Sequence, residues 1–462
     1  MTQVPPDSTD APARRGLWGI PPRRVLLQAG LPWGAALLVG LVSVLYAKWS
    51  AQASSVFLHW IAGRPWLAFL ITPALTVLAL FLTQRWFTGS EGSGIPQVIA
   101  ALHAPRADEE HSFMRRLFGV RVIIGKIGVS LIGLLGGLTI GREGPTVHIG
   151  AAIMAEIRRF HPHRSAQLER RLLLAGAAAG LSAAFNTPLA GIIFAIEELA
   201  RDFESRTNGV MITAVVFSGL TSLALAGNYL YFGQINVPND LHLAFALPVV
   251  LSAALCGLAG AAFNLTLLRW KAWMPRWLVV LRARQPLLYA LLIGIIVAAL
   301  GVGTHGETWG GGYIQARQLL TGTAPLSEPY ALTKWAAMVA TYMVGIPGGL
   351  FSPSLSIGAG LAQWVHAAFG WAPAAAVIAL CMTGYLAAVT QSPITSFVIV
   401  MEMTNGTGMV IPMMATALIA SRISAFFTPP LYEALAQSNY AQVGELPAGG
   451  FLQKKPVPPP GA

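Results

Sequence analysis

Three turns rich in glycine and proline are the first places in this sequence where chemistry is expected. They occupy residues 92–96, 141–145 and 348–353, and each one opens an apolar segment. Because proline is favoured in the first turn of a helix and glycine lets the preceding backbone bend, each turn predicts a helix N-terminus. Such an end presents unpaired N–H groups and about half a unit of positive charge. One such turn is more simply interpreted as a packing kink, but three that converge would bind an anion.

Glu143 lies inside the second of these turns. The helix dipole favours an ionised carboxylate at this position, and that carboxylate would occupy the place that an external anion requires. A protonated side chain would lose this attraction and swing away. Glu143 is therefore a candidate gate that couples proton movement to anion movement. The alternative is a helix-capping carboxylate or an ion-pair partner of the adjacent Arg142.

Other polar side chains lie at the ends of apolar runs. Glu197 and Glu198 follow one such run and precede Arg201. Ionisable residues near the end of a membrane segment are functional candidates, so one of the two acids could relay protons. The alternative is a pair of solvated carboxylates at the membrane interface. Tyr432 ends the last apolar run, where a tyrosine is an interfacial anchor or a hydroxyl donor to the anion. Ser93 in the first turn is similarly a packing serine or an anion donor.

The amino-acid composition indicates the class of protein in which these residues lie. Of 462 residues, 55% are hydrophobic and 11% are charged, whereas soluble domains carry about 25% charged residues. This excludes a soluble enzyme, a disordered chain and a coiled coil, and it predicts a protein that crosses the membrane several times. The 48 glycines and 31 prolines are too many for plain spanning helices, so broken or close-packed helices are expected.

The charge and the metal-binding residue types exclude further classes. The net charge of +11 lies mostly in loops between apolar runs, where it predicts cytoplasmic faces and not a nucleic-acid partner. The nine histidines and two cysteines have no spacing typical of a metal site, so neither a metal nor a cofactor is expected. No cluster of nucleophile and base is apparent, so the protein is not expected to be an enzyme.

A repeat divides the chain into two homologous halves. Lys126 matches Lys334, and Pro145 matches Pro353 at the same offset. In transporters, repeats of this kind place the substrate site at their interface, although the pattern leaves open whether the halves are parallel or inverted. The predicted organisation is a cytoplasmic tail over 1–24, a first membrane repeat over 25–228, a second over 240–435, and a short disordered tail over 436–462.

The repeat also pairs two glutamates and two glycine-rich turns. Glu402 follows a proline at the same distance as Glu197 does, and residues 310–312 match 92–94. For Glu402 we expect a structural role, as a cap or a pairing partner inside the helix bundle.

Taken together and in order, the motifs at 92–96, 141–145 and 349–353 resemble the signature of the CLC chloride channel and transporter family. The resemblance extends from about residue 30 to 435. It implies an all-α integral membrane fold with about eighteen membrane helices in two inverted repeats, many of them broken or re-entrant. It further implies a homodimer in the lipid bilayer, with one anion path in each subunit, both termini in the cytoplasm and a bacterial inner membrane as the location.

The resemblance also assigns roles to residues. It implies that Ser93 and Tyr432 hydrogen-bond a central chloride, and that backbone N–H groups around Gly144, Leu350 and Phe351 complete the site. Serine at position 93 implies a preference for chloride over nitrate, and the intact serine and tyrosine differ from fluoride-exporting relatives.

Two acids carry the proton in the family pattern. The resemblance implies that Glu143 is the external gating glutamate and that Glu198 is the internal proton-transfer glutamate. Members with both acids are typically chloride/proton exchangers, which is the function that we expect. The alternatives are a passive chloride channel of the same fold and, more distantly, an integral-membrane enzyme. Gln97 stands where the family more often has an acid. This difference would alter the electric field near the inner mouth of the anion path.

Overall fold

The computed structural model describes most of the chain. The described residues are 22–103, 116–160, 165–200, 208–227, 230–235, 243–323 and 325–443. Most of the two predicted tails and Arg201 therefore lie outside them. Within these ranges there is no β-strand, and eighteen α-helices have seven residues or more. The prediction of an all-helical fold is confirmed.

Eight of these helices precede residue 230. They are α1 (Pro22–Ile61), α2 (Ala68–Arg85), α3 (Ile95–His103), α4 (Val120–Leu135), α5 (Glu143–Ile157), α6 (Ala166–Phe185), α7 (Pro188–Phe194) and α8 (Asn208–Ala226). Helix α7 continues directly into a π-helical turn over Ala195–Ala200.

Ten more helices follow residue 243. They are α9 (Ala246–Trp273), α10 (Arg276–Arg284), α11 (Pro286–Gly303), α12 (Tyr313–Thr321), α13 (Tyr330–Val344), α14 (Phe351–Ala368), α15 (Ala374–Thr390), α16 (Pro393–Thr404), α17 (Val410–Phe427) and α18 (Leu431–Val443).

Helix α18 extends into the segment that we predicted to be disordered from residue 436. It runs to Val443, and Leu431, Tyr432 and Ala436 on it are buried. Burial of this apolar face against α3 stabilises a helix that the polar composition of the segment does not favour by itself.

Six helical segments in the described ranges are long and apolar enough to cross a membrane. They are Gly30–Ile61, Pro65–Arg85, Gly209–Ala226, Leu243–Trp273, Pro286–Gly303 and Thr407–Gln437. Large apolar side chains on them, such as Leu70, Leu220 and Ile411, are exposed and match a lipid environment. The protein is therefore a multi-pass membrane protein.

Other helices are short or lie buried inside the bundle. Helix α3 has nine residues, and at 1.5 Å per residue it covers less than half of a hydrocarbon core of about 30 Å. Helices α5 and α14 are buried along most of their length. Glycine allows this close packing: a Cβ on Gly150 of α5 would lie 2.2 Å from the carbonyl oxygen of Gly176 on α6. The broken, close-packed helices predicted from glycine and proline are thus present.

The paired glutamates of the repeat cap helices of the opposite half. Glu197 accepts the N–H groups of Ile394 at 3.0 Å and Thr395 at 2.6 Å, at the start of α16. Glu402 accepts those of Leu189 at 3.2 Å and Ala190 at 2.7 Å, at the start of α7. Each carboxylate therefore satisfies N–H groups that lack partners within their own helix. The structural role predicted for Glu402 is confirmed, and Glu197 has the same one.

The matching lysines also have equivalent positions. Lys126 Nζ donates to the carbonyl oxygen of Gly92 at 2.7 Å, and Lys334 Nζ donates to those of Thr308 and Gly310, both at 2.8 Å. Each buried lysine thus holds the glycine-rich turn of its own half.

Candidate functional site

The three glycine- and proline-rich turns meet at one place in the structure. The third turn pairs with the first, because Gly348 N–H donates to Gly92 O at 3.1 Å. It also pairs with the second, because Gly141 and Gly349 exchange two N–H···O bonds of 2.8 and 2.7 Å. The N-terminal ends of α3, α5 and α14 are thereby brought together. Three partial positive charges consequently converge in the interior of the molecule.

The residues that precede α5 and α14 leave these helix ends without side-chain caps. Arg142 and Leu350 occupy the N-cap positions, and neither provides a side-chain hydrogen bond to the helix. Leu350 and the following Phe351 are buried. N–H groups at such ends need an acceptor, and a bound anion can supply one.

Ser93 lies against the start of α5. A Cβ placed on Gly144 would lie 2.2 Å from Ser93 Oγ, so only glycine lets the serine hydroxyl approach this helix end. The Tyr432 hydroxyl is a neighbour of Ser93, and the Tyr432 ring stacks on Phe351 with the ring centroids 6.1 Å apart. The structure thus brings together all five residues predicted for the anion site: Ser93, Gly144, Leu350, Phe351 and Tyr432.

The two hydroxyls of this group are buried and lack partners. Ser93 Oγ and Tyr432 Oη make no hydrogen bond to any residue that the structure describes. A buried hydroxyl without a partner costs about 1–3 kcal/mol, so most buried polar groups have one. A ligand that accepts hydrogen bonds would remove this cost for both groups together.

Glu143 joins the second turn to the third. Its side chain is fully buried, and Ser352 Oγ donates to Glu143 Oε2 at 2.9 Å. Arg142 Nε lies 3.7 Å from Glu143 Oε1. The carboxyl group therefore lies at the start of α5, beside the anion-site residues. Ser352 was not identified from the sequence, although the hydroxyl within the third turn was a usable signal.

Arg142 is held by two aromatic rings. Its guanidinium carbon is 5.2 Å from the ring centroids of both Tyr231 and Tyr313, and Nη1 donates to Ala47 O at 2.8 Å. It also donates to the Tyr231 hydroxyl. These residues, except Ala47, line a cavity of about 490 Å³, which we call the Arg142 cavity. Arg142, the chain neighbour of the buried Glu143, thus borders an open space.

Glu198 lies in the π-helical turn that follows α7, and it is buried. π-Helical turns are rare and often mark functional sites. Ser392, at the N-cap of α16, donates to the Glu198 carboxyl group. Tyr432 is close enough to interact electrostatically with both Glu198 and Glu143. Ser392 was also missed from the sequence, because the contact joins residues far apart in the chain.

A second cavity opens beside Ser93. It has a volume of about 410 Å³, we call it the Ser93 cavity, and Glu91 and Gln97 also line it. Gln97 Nε2 donates to the carbonyl oxygen of Glu91 at 2.7 Å. Gln97 therefore bonds to the backbone just before the first turn and faces this cavity.

Fold and site together define a class: an integral membrane protein whose broken helices direct their N-terminal ends at a buried polar site, as in ion-transport proteins. Residues 75–425 match the voltage gated chloride channel family, and the chain belongs to that family. This is a family of transport proteins and not of catalytic enzymes.

Curated relatives and solved structures agree with this assignment. The H(+)/Cl(-) exchange transporter ClcA of Salmonella arizonae is 31% identical over 450 residues, which cover 91% of this chain and 90% of the relative. The ClcA of Yersinia pestis is 32% identical over 418 residues, 85% of this chain and 82% of the relative. A slow cyanobacterial Cl-/H+ antiporter of known structure is 23% identical in sequence. The match covers 90% of this chain and 99% of the antiporter chain, with a TM-score of 0.75. A CLC-type fluoride/proton antiporter of known structure is 20% identical, with the same two coverages and a TM-score of 0.73.

Proposed function

We propose that this protein exchanges chloride for protons across the membrane. One observation carries the proposal: two buried hydroxyls without partners, Ser93 and Tyr432, lie where uncapped helix ends converge beside the Glu143 carboxyl. The relatives named as H(+)/Cl(-) exchange transporters support the same function. Their identity of about one third extends over most of both chains.

The proposed chloride site uses partial charges. The hydroxyls of Ser93 and Tyr432 and the N–H groups around Gly144, Leu350 and Phe351 surround the ion. An isolated anion in a medium of low dielectric would cost on the order of tens of kcal/mol, and these donors offset most of that cost. The nearby Lys126 donates to backbone carbonyl groups of the first turn. The ion is therefore held without a full countercharge and can leave again.

Glu143 is the proposed gate on the side of the Arg142 cavity. Its ionised carboxylate competes with chloride for the start of α5 and is held there by Ser352 and Arg142. Protonation removes the negative charge, and the side chain then leaves the anion path. One carboxyl group thus carries a proton and admits an anion in the same movement.

Glu198 is the proposed proton relay on the other side. It is buried, bonded to Ser392 and close to Tyr432, which is also close to Glu143. A proton that leaves Glu143 therefore has an acid within the same neighbourhood to receive it. A passive channel of the same fold can retain both acids, so proton movement, and not the presence of Glu198, separates the exchanger from the channel.

The larger organisation is proposed on the same basis. We propose two inverted halves over 25–228 and 240–435, with tails 1–24 and 436–462 in the cytoplasm of a bacterium and the helices in its inner membrane. The reciprocal caps of Glu197 and Glu402 support the two halves. From the resemblance to the CLC family we also propose a homodimer. One path in each subunit is consistent with a site whose residues, Ser93, Gly144, Leu350, Phe351 and Tyr432, meet within a single chain. No enzymatic step is needed.

The test uses purified protein in liposomes. A chloride gradient is imposed, the membrane voltage is clamped with a potassium ionophore, and external pH is recorded with an electrode. We expect protons to move against their own gradient while chloride moves down its gradient. Chloride flux without proton movement would replace the proposal with the channel, and the absence of chloride flux would reject both.

A further inference from the structure

The wall of the Ser93 cavity contains a cation that the proposed exchange has not used. Ser93, Glu91 and Gln97 contribute to the cavity from the first half of the chain, and Lys271 and Arg282 contribute from the second. Arg282 lies near the end of α10, the short helix that joins α9 to α11. A positive charge therefore lines the same open space as one of the proposed chloride ligands.

Aromatic rings hold Arg282 in this position. Its guanidinium carbon lies 4.6 Å from the ring centroid of Trp270 and 6.0 Å from that of Tyr289. A cation over an aromatic face is attracted by the ring quadrupole and keeps its full charge. The half-buried side chain is thus fixed at the wall of the cavity without being neutralised.

Among the residues that the structure describes, no carboxylate forms an ion pair with Arg282. The three ion pairs found among the described residues involve Arg142, Arg158 and Arg159, and none of them involves Arg282. The acid that shares the cavity, Glu91, accepts the N–H of Gly89 at 2.8 Å. Two cations, Lys271 and Arg282, thus line the cavity against one acid, Glu91, and the net charge of its lining is positive.

We propose that Arg282 recruits chloride into the Ser93 cavity and so supplies the central site. This inference rests on the proposed function, because it takes Ser93 to be a chloride ligand. A cation in a confined cavity with apolar walls raises the local concentration of anions, and salt screens the effect. Because rings and not a carboxylate hold the guanidinium, the cation attracts the ion without forming a deep binding site that would delay its release.

The test measures chloride flux from proteoliposomes against chloride concentration, at constant ionic strength set with a salt of an impermeant anion. R282Q removes the charge, R282K retains it, and R276Q is the matched control, since Arg276 lies exposed on the same helix. At low ionic strength we expect R282Q to raise the half-saturating chloride concentration roughly twofold to tenfold. R282K and R276Q are expected to match the wild type, and all variants should keep its ratio of protons to chloride.

The salt dependence separates recruitment from a structural role. The shift in R282Q should shrink as ionic strength rises toward about 1 M, where screening extends over only about 3 Å. An unchanged half-saturating concentration in R282Q, a shift that persists undiminished at high salt, or a changed proton-to-chloride ratio would each overturn the proposal. A wild type that carries no chloride would reject the proposed function itself, a result distinct from all of these.

A cysteine variant allows the charge at position 282 to be changed after the protein has folded. R282C is reconstituted and then treated with a positively or a negatively charged methanethiosulfonate reagent. The positive adduct should restore the low half-saturating concentration, and the negative adduct should raise it further. The native Cys256 and Cys381 are buried, so untreated and treated wild type should agree. Equal effects of the two reagents on R282C would contradict a role for charge.

Discussion

At the scale of single residues, the two hydroxyls without partners are the main evidence that the site binds a ligand. Ser93 and Tyr432 are buried where helix ends meet, and Gly144 leaves room for the serine. Several other buried hydroxyls bond within their own helix, as Ser43 does to Val39 O at 2.7 Å, and some, such as that of Tyr385, also lack a partner among the described residues. What distinguishes Ser93 and Tyr432 is their position beside converging helix N-termini, which suits a ligand that accepts hydrogen bonds.

Tyr432→Phe tests this interpretation directly. Loss of one hydrogen bond to a charged acceptor costs about 1.5–3 kcal/mol, so we expect chloride affinity to fall about tenfold or more. Isothermal titration calorimetry of purified protein would measure it. Tyr385→Phe is the matched control, because Tyr385 is equally buried and its hydroxyl also lacks a partner in the described residues. Equal affinities in the two variants would count against Tyr432 as a ligand.

The central residues of the site could be predicted from the sequence, but the serines that hydrogen-bond to its acids could not. Ser93, Glu143 and Tyr432 stand in motifs or at run ends, where local pattern marks them. Ser352 and Ser392 act by donating to acids that are distant in the sequence, Glu143 and Glu198. Such contacts depend on tertiary packing, and a serine that makes them looks like any other serine in a helix N-terminus.

At the scale of helices, the site is positioned by interruptions that let helices begin inside the bundle. Helices α3, α5 and α14 begin inside the bundle, and backbone bonds between Gly141 and Gly349 hold the starts of α5 and α14 together. Glycine and proline predicted these breaks, because both residues have strong local effects on the backbone. The extension of α18 to Val443 was not predicted, because its stability comes from packing against another helix.

Removal of a cross-half cap should weaken the fold. Glu402→Ala deletes the acceptor of two N–H groups at the start of α7, and a lost cap costs about 0.5–2 kcal/mol. We expect the thermal unfolding midpoint in detergent to fall by roughly a few degrees. Glu328→Ala, at an exposed residue, is the control. A midpoint for Glu402→Ala that equals the control would contradict the capping role.

At the scale of the whole molecule, the N-terminal and C-terminal parts of the chain supply complementary parts of the proposed site. The first half contributes Ser93, Glu143 and Glu198, and the second contributes Phe351 and Tyr432. The composition and the repeat predicted a membrane protein with two homologous halves, because both signals are spread over the entire chain. The arrangement of the cavities beside Ser93 and Arg142 was not predictable, because cavity walls combine residues from distant elements.

Glu198→Gln tests whether a proton path spans the molecule. The amide oxygen can still accept from Ser392, but the side chain can no longer take up a proton. In proteoliposomes we expect proton movement to be lost while chloride flux continues. Glu328→Gln should behave as the wild type. Undiminished proton movement in Glu198→Gln would reject the relay.

The central claim is that one carboxyl group, Glu143, both admits the anion and carries the proton. The most direct measurement records chloride flux and proton movement together in proteoliposomes that contain Glu143→Gln. Because glutamine resembles the protonated acid, we expect continued chloride flux with no coupled proton movement. Glu156→Gln, near the other end of the same helix, should retain both. Proton movement in Glu143→Gln at the wild-type ratio to chloride would contradict the account.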